Sequence, residues 1–310
     1  MTISASVFKL QTVCSFNFNL KLLKLYYISA YLIISAYADH KVTHWNYEYH
    51  GTNWGGTCQS GVQQSPIQLA YDKAYTVPLP RIVFKNYDVR LKEPLILENN
   101  GHSVHMDIPE TQNGNKPYIM GGLLKGRYQA EGFHFHWGSP KSRGSEHSIS
   151  ERRFDVEMHI VHRNVRYDDL KEAVKHDDGI AVLGIMFKIV RNPDRIYPGL
   201  NKVFAEMSNV VKYKSESEIS GSISVGQLLG DLDTRNFFTY KGSLTTPDCN
   251  EAVTWTVFSQ VLPIPFGHVA KLWRIRDSSG HSLINNYRST QPLNGRSVFY
   301  RTTIDGTMGK

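Results

Sequence analysis

Acidic residues are missing from the first 38 positions, and cysteine occurs only three times in 310 residues. No block of Lys and Arg, no internal repeat, no HExxH motif and no hydrophobic C-terminal tail is found anywhere in the chain. Each absence excludes something. A metalloprotease of the HExxH kind is ruled out. The polar stretch from Tyr300 to Lys310 offers no lipid-anchor signal, so no membrane anchor is expected. The formal charge of +7 includes Lys9, Lys21 and Lys24; without them 32 basic residues face 28 acidic ones, a net +4. That mild, scattered excess argues against a nucleic-acid partner. No Asn-x-Ser/Thr sequon follows residue 38, so N-glycosylation is not expected.

What residues 1–38 do contain is Lys21 and Lys24 ahead of an apolar run, Leu25 to Ser35, closing on Ala36-Tyr37-Ala38. The run is too short to span a bilayer, and small residues stand where a signal peptidase cuts. Residues 1–38 therefore read as a cleaved signal peptide, with an uncleaved anchor or a misassigned start as the alternatives, and 39–310 as the mature, secreted, extracellular domain. Cys14 leaves with the leader. Cys58 and Cys249 remain, an even pair that in an oxidising compartment suggests one disulfide, two separate buried thiols being the alternative.

At 41% apolar and 20% charged, the chain has an ordinary globular composition. Residues 39 to 75 lack periodicity. After them come β-rich runs: 81–91, 95–97, 102–108, 118–120, 133–137, 154–161, 179–190, 237–240, 251–258, 286–296 and 297–300. Helical patterns are confined to 168–176, 198–211 and 266–275. The Ser- and Glu-rich stretch 212–226 reads as a surface loop. A single domain of mixed α/β type dominated by β follows.

The chemistry concentrates in Phe133-His134-Phe135-His136-Trp137 and Glu157-Met158-His159. Successive side chains of a strand point to opposite faces, so His134 and His136 project together while Phe135 points away. A third histidine from a neighbouring strand would complete the three-protein-ligand set that catalytic zinc prefers. An HxH pair alone is weak in a chain with 13 histidines. In the run 154–161, however, Glu157 shares a face with His159 and can accept its free imidazole N–H.

Seven ordered motifs then carry a resemblance: His44-Trp45-Asn46-Tyr47, Gln64-Ser65-Pro66-Ile67, Asn99-Asn100-Gly101-His102, Phe133 to Gly138, Gly144-Ser145-Glu146-His147, Glu157-Met158-His159 and Gly242 to Pro247. From about His44 to Arg296 the chain resembles the α-class carbonic anhydrases of the secreted type. The resemblance implies a central, mostly antiparallel twisted sheet of about ten strands with short peripheral helices, and reversible hydration of carbon dioxide to bicarbonate and a proton. It implies Zn2+ held by His134, His136 and His159, with attack by zinc hydroxide. The fall in water pKa from 15.7 to about 7 that this requires is a property of that family itself.

Carried over position by position, Glu157 would brace His159, and the Asn286 carbonyl would brace His136. Thr245 would orient the nucleophile by donating to Glu146, since an ionised carboxylate only accepts. His102 would shuttle the proton, with Tyr47, Asn100 and His105 ordering water, and His147 would brace Glu157 and Tyr240. Val161, Val182, Leu244, Val253 and Trp255 would form the apolar substrate wall, with Thr245 and Thr246 beside it. Cys249 matches the extracellular members and would pair with Cys58.

Two departures stand out. Gly132 occupies the position of a glutamine that supports the first histidine, a loss that typically costs 10- to 100-fold in metal affinity or activity. Asp248 replaces a second proline, so a cis turn there is expected to be absent. The resemblance further implies a monomer acting on a small-molecule substrate and inhibited by aromatic sulfonamides. A non-catalytic binding module on the same fold is the alternative; the complete histidine set, Glu146 and Thr245 favour catalysis.

Overall fold

Alternation builds the centre of the molecule. In the strand Tyr128–Trp137, Phe133, Phe135 and Trp137 are buried in the larger hydrophobic core, and His134 and His136 project from the opposite face. This computed structural model describes residues 45–192 and 197–302, so the leader read at 1–38 lies outside the described residues. The described residues belong to one compact unit beginning at Trp45.

Seven strands carry the argument: β1 (Ile96–Asn99), β2 (Val104–Asp107), β3 (Tyr128–Trp137), β4 (Val156–Asn164), β5 (Ile180–Val190), β6 (Phe237–Gly242) and β7 (Val253–Pro265). They lie in the order β1-β2-β3-β4-β5-β7-β6 within a twelve-stranded sheet. Glu216–Glu218 adds to the β1 edge, and Phe299–Arg301 followed by Tyr75–Thr76 extends the other. Neighbours are antiparallel except β5 with β7 and the outermost pair, which are parallel. The mixed class dominated by β is borne out.

The sheet has a core on each face. Met158 and Ile160 of β4 and Leu183, Ile185 and Phe187 of β5 join the larger cluster. Ile180, Val182, Val253, Trp255 and Val257 form the second, on the face that carries the histidines. β5 is buried on both faces, as its near-continuous apolar run requires.

Four stretches differ from the sequence reading. The stretch 212–226, expected as a surface loop, carries the strand Glu216–Glu218 and buries Ile219, Ile223 and Val225. The strand expected over 81–91 shrinks to Val83–Lys85 and stops at Asn86, whose φ of 59° leaves the extended region. The helix expected over 168–176 is only Leu170–Ala173, capped by the Asp169 carboxylate accepting from Glu172 N at 2.7 Å. The segment 286–296 is not a strand. Its backbone N–H groups go to Trp137 O, to the Glu146 carboxylate, to His50 O and to Pro66 O, so no single neighbour strand takes them. Among the described residues no helix is long and apolar enough to cross a membrane.

Candidate active site

The antiparallel register of β3 and β4 sets His159 opposite His134 and Glu157 opposite His136. One nitrogen from each of His134, His136 and His159 lies within 4.8 Å of the others, His136 and His159 buried and His134 half-buried. Ring centroids are 5.1 Å apart for His134 and His136, 5.2 Å for His134 and His159, and 4.6 Å for His136 and His159.

Hydrogen bonds fix which nitrogens are free. Asn286 O can only accept, so His136 Nδ1, 2.7 Å away, carries the hydrogen and Nε2 keeps its lone pair. By the same reasoning His159 Nε2 donates to Glu157 Oε1 at 2.8 Å, which leaves His159 Nδ1 as the lone-pair nitrogen. Burial pushes the His134 imidazole well below its usual range, and the neighbouring His136 and His159 push it further. Burial also lowers His136, although the Glu146 charge opposes it. Neutral imidazoles are what a metal site needs.

Glu157 is the keystone behind them. Its Oε1 accepts from His147 Nδ1 at 2.7 Å and from His159 Nε2, and its Oε2 accepts from the backbone N–H groups of Glu146 and His147, each at 2.8 Å. Burial alone would raise this carboxyl, but the two histidines and their hydrogen bonds outweigh it and hold it well below the usual carboxylate range. His147 Nε2 continues to the Tyr240 hydroxyl at 2.7 Å, which donates to Ser65 Oγ at 2.9 Å.

Two buried polar atoms facing each other lack hydrogen-bond partners: His136 Nε2 and Glu146 Oε2, 3.4 Å apart. Glu146 Oε2 is also 4.0 Å from His159 Nδ1. Unsatisfied buried groups cost about 1–3 kcal/mol each, more when charged. A cation among three imidazole nitrogens beside a carboxylate would relieve that cost, so these donors fit zinc.

The other expected site residues divide. The hydrogen bond expected from Thr245 to Glu146 is not formed: Glu146 Oε1 accepts from Arg288 N at 2.8 Å, and Oε2 turns toward His136. Thr245 itself is buried. His102 stacks on Trp45, centroids 3.7 Å apart and planes 7° apart, and its carbonyl accepts from Asn286 Nδ2 at 3.0 Å. Exposed Asn100 uses its side-chain oxygen to accept from the backbone N–H groups of His102 and Ser103, building the turn. Tyr47 is buried against Trp45 and Trp54, and burial, helped by the Glu146 charge, raises its phenol well above the usual range. His105 pairs in register with His134, lies 3.6 Å from Glu98 Oε2, and is pushed down to about 4 by burial.

On the apolar side, Val161, Val182 and Trp255 lie side by side across β4, β5 and β7, with Val253 and Leu244 in the same cluster. Thr246 is half-buried and accepts from Cys249 N through its carbonyl. Cys58 and Cys249 form a disulfide across 191 positions. The Pro247–Asp248 bond is cis despite the missing proline, which corrects the sequence reading, and Ser65–Pro66 is cis as well.

Sequence reasoning missed Arg288. It is 1% exposed and spans the site: its backbone N–H holds Glu146, Nη1 donates to Gln64 Oε1 and Ser65 O, and Nη2 donates to Cys58 O at 2.6 Å. Only its place two residues after Asn286 pointed toward it.

The chain matches the family model described as eukaryotic-type carbonic anhydrase over residues 40–302. It is 35% identical over 261 residues to a Caenorhabditis elegans protein named for carbonic anhydrase 5, covering 83% of this chain and 81% of that one. Mouse carbonic anhydrase 15 is 33% identical over 248 residues, with 77% and 75% covered. Human carbonic anhydrase 12 is 34% identical over 248 residues, with 77% and 66% covered. A β-dominated sheet, a histidine triad on two of its central strands and matches that run nearly its whole described length place this chain in the eukaryotic-type carbonic anhydrase family, as an enzyme with carbonic anhydrase activity.

Proposed function

We propose that the chain carries out reversible hydration of carbon dioxide as a zinc enzyme, with His134, His136 and His159 as the ligands. One observation carries this: His136 and His159 have their outer nitrogens committed to Asn286 O and Glu157, so their other nitrogens are left to converge with His134. Zinc held there supplies Lewis-acid chemistry that makes water a nucleophile near neutral pH.

The chain's own residues do the rest. Glu157, ionised and accepting four hydrogen bonds, keeps His159 in one tautomer and orientation. Val161, Val182, Leu244, Val253 and Trp255 offer an uncharged substrate a wall that excludes water, with Thr246 at its margin. Thr245 donates to Glu146 Oε2 once a side chain rotates to make that bond, and its remaining lone pair then orients the attacking oxygen. His102 passes the released proton to buffer, a task suited to imidazole as the side chain whose charge changes near physiological pH. Tyr47, Asn100 and His105 border that route, Asn100 by shaping the turn.

We further propose a secreted monomer whose leader is residues 1–38; the disulfide supports passage through an oxidising compartment. Stopped-flow carbon dioxide hydration on the zinc-supplied protein tests the reading. Rapid hydration blocked by an aromatic sulfonamide is expected; a rate no faster than buffer would overturn it.

A further inference from the structure

The turn that carries His102 is bound tightly on its inner side. Asn99 Oδ1 accepts from Gly101 N at 2.8 Å, and Asn99 Nδ2 donates to Val211 O and Arg276 O. Ser103 Oγ donates to Phe135 O at 2.5 Å, which docks the turn onto β3 between His134 and His136. These bonds fix the backbone on either side of residues 101 and 102.

On its outer side the turn meets one large side chain. Gly101 adopts a φ of +85°, and a Cβ built there would lie 2.9 and 3.0 Å from Cδ2 and Cε2 of Tyr213. The Tyr213 ring therefore fills the space that a side chain at 101 would occupy, in contact with the residue before His102. Tyr213 is itself anchored by its neighbours: Lys214 N donates to Asn99 O at 2.8 Å, Asn99 N donates to Ser215 O at 3.1 Å, and the Lys214 ammonium lies 5.3 Å above the ring. Yet Tyr213 is 40% exposed and belongs to neither hydrophobic core. A tyrosine held at a surface position against a glycine has little to contribute to global stability and much to contribute to where that glycine sits.

We propose that Tyr213 is a positioning residue for proton transfer: its ring braces Gly101 and so holds the turn that presents His102. The inference rests on the reading of His102 as the shuttle. Proton transfer depends steeply on donor–acceptor geometry, and glycine at positive φ is the position in the turn with the widest conformational freedom once the ring is removed. Tyr213 acts through its ring face, so its hydroxyl is dispensable.

The test compares Tyr213→Ala, Tyr213→Phe, His102→Ala and the Tyr213→Ala/His102→Ala double variant of the zinc-loaded full enzyme, by stopped-flow hydration in weak and in concentrated buffer. Expected for Tyr213→Ala is a roughly three- to tenfold fall in kcat in weak buffer, with kcat/KM unchanged, the loss recovered by added imidazole. Tyr213→Phe should match the parent, and the double variant should fall no further than His102→Ala alone. If His102→Ala lowers kcat and Tyr213→Ala does not, the inference is overturned and the shuttle reading stands. If His102→Ala leaves kcat unchanged, the shuttle reading fails first. Equal loss of kcat and kcat/KM in Tyr213→Ala, or an undiminished effect in the His102→Ala background, would place the action of Tyr213 elsewhere and also overturn the proposal.

Discussion

At the scale of single residues, the three histidines are unequally supported. His136 has Asn286 O and His159 has Glu157, whereas no hydrogen bond from another described residue reaches the His134 ring. Gly132, the position from which a glutamine would reach back, offers no side chain. Gly132→Gln should therefore tighten zinc binding by about 10-fold, read by competition with a chromophoric chelator. Unchanged affinity would mean that His134 is already held as firmly as its partners. The His134–His136 pair was legible in the sequence because strand alternation is a fixed period. The Glu146 contact was not. Which of several acceptors a carboxylate oxygen takes depends on rotamers that no spacing encodes, and here Arg288 N and His136 Nε2 stand where Thr245 was expected.

At the scale of elements, the site depends on one register and one tether. Because β3 and β4 pair with His134 opposite His159, a one-residue slip of β3 would carry His134 and His136 to the hydrophobic face, and one of β4 would carry His159 there. That register is secured by the opposite side of the same strands: Phe133, Phe135, Met158 and Ile160 are all at most 1% exposed. Phe135→Ala should cost about 3–5 kcal/mol in urea unfolding, and a loss below ~1 kcal/mol would show that the core does not fix the strand. The Cys58–Cys249 bridge ties the loop after Thr245 to the N-terminal segment, where Arg288 Nη2 and Gln64 Nε2 bind the two cysteine carbonyls. These long strands were readable because their apolar runs are continuous or alternate cleanly. The segment 286–296 was misread because its apolar and polar residues also mimic a strand, while its hydrogen bonds go to side chains and loops that sequence order does not bring near.

At the scale of the whole molecule, burial of uncharged histidines sets the response to acid. Burial pushes His105 down to about 4 and His162, whose ring meets the Tyr87 hydroxyl, down to about 3. Between those values and the ordinary 6.5 the unfolded chain binds protons that the folded chain refuses. Stability is thus complete above about 6.5 and drains as pH falls toward 4, by on the order of 3 kcal/mol per such histidine. Glu157 adds to the same limb further down: its depressed carboxyl contributes above the unfolded value of about 4.5, and that contribution is lost as pH drops through the folded value. Urea midpoints of the metal-free protein should hold level above about pH 6.5 and fall from there to pH 5; a midpoint independent of pH across that range would contradict the account.

The central claim is that three imidazoles on two paired strands make one catalytic metal site. It is tested most directly by titrating zinc into the metal-free protein while following carbon dioxide hydration in the same samples. The account predicts that the rate rises in proportion to added zinc and breaks sharply at about one equivalent per chain, and that His159→Ala abolishes the break. Hydration that is indifferent to zinc, or no hydration at one bound equivalent, would contradict it.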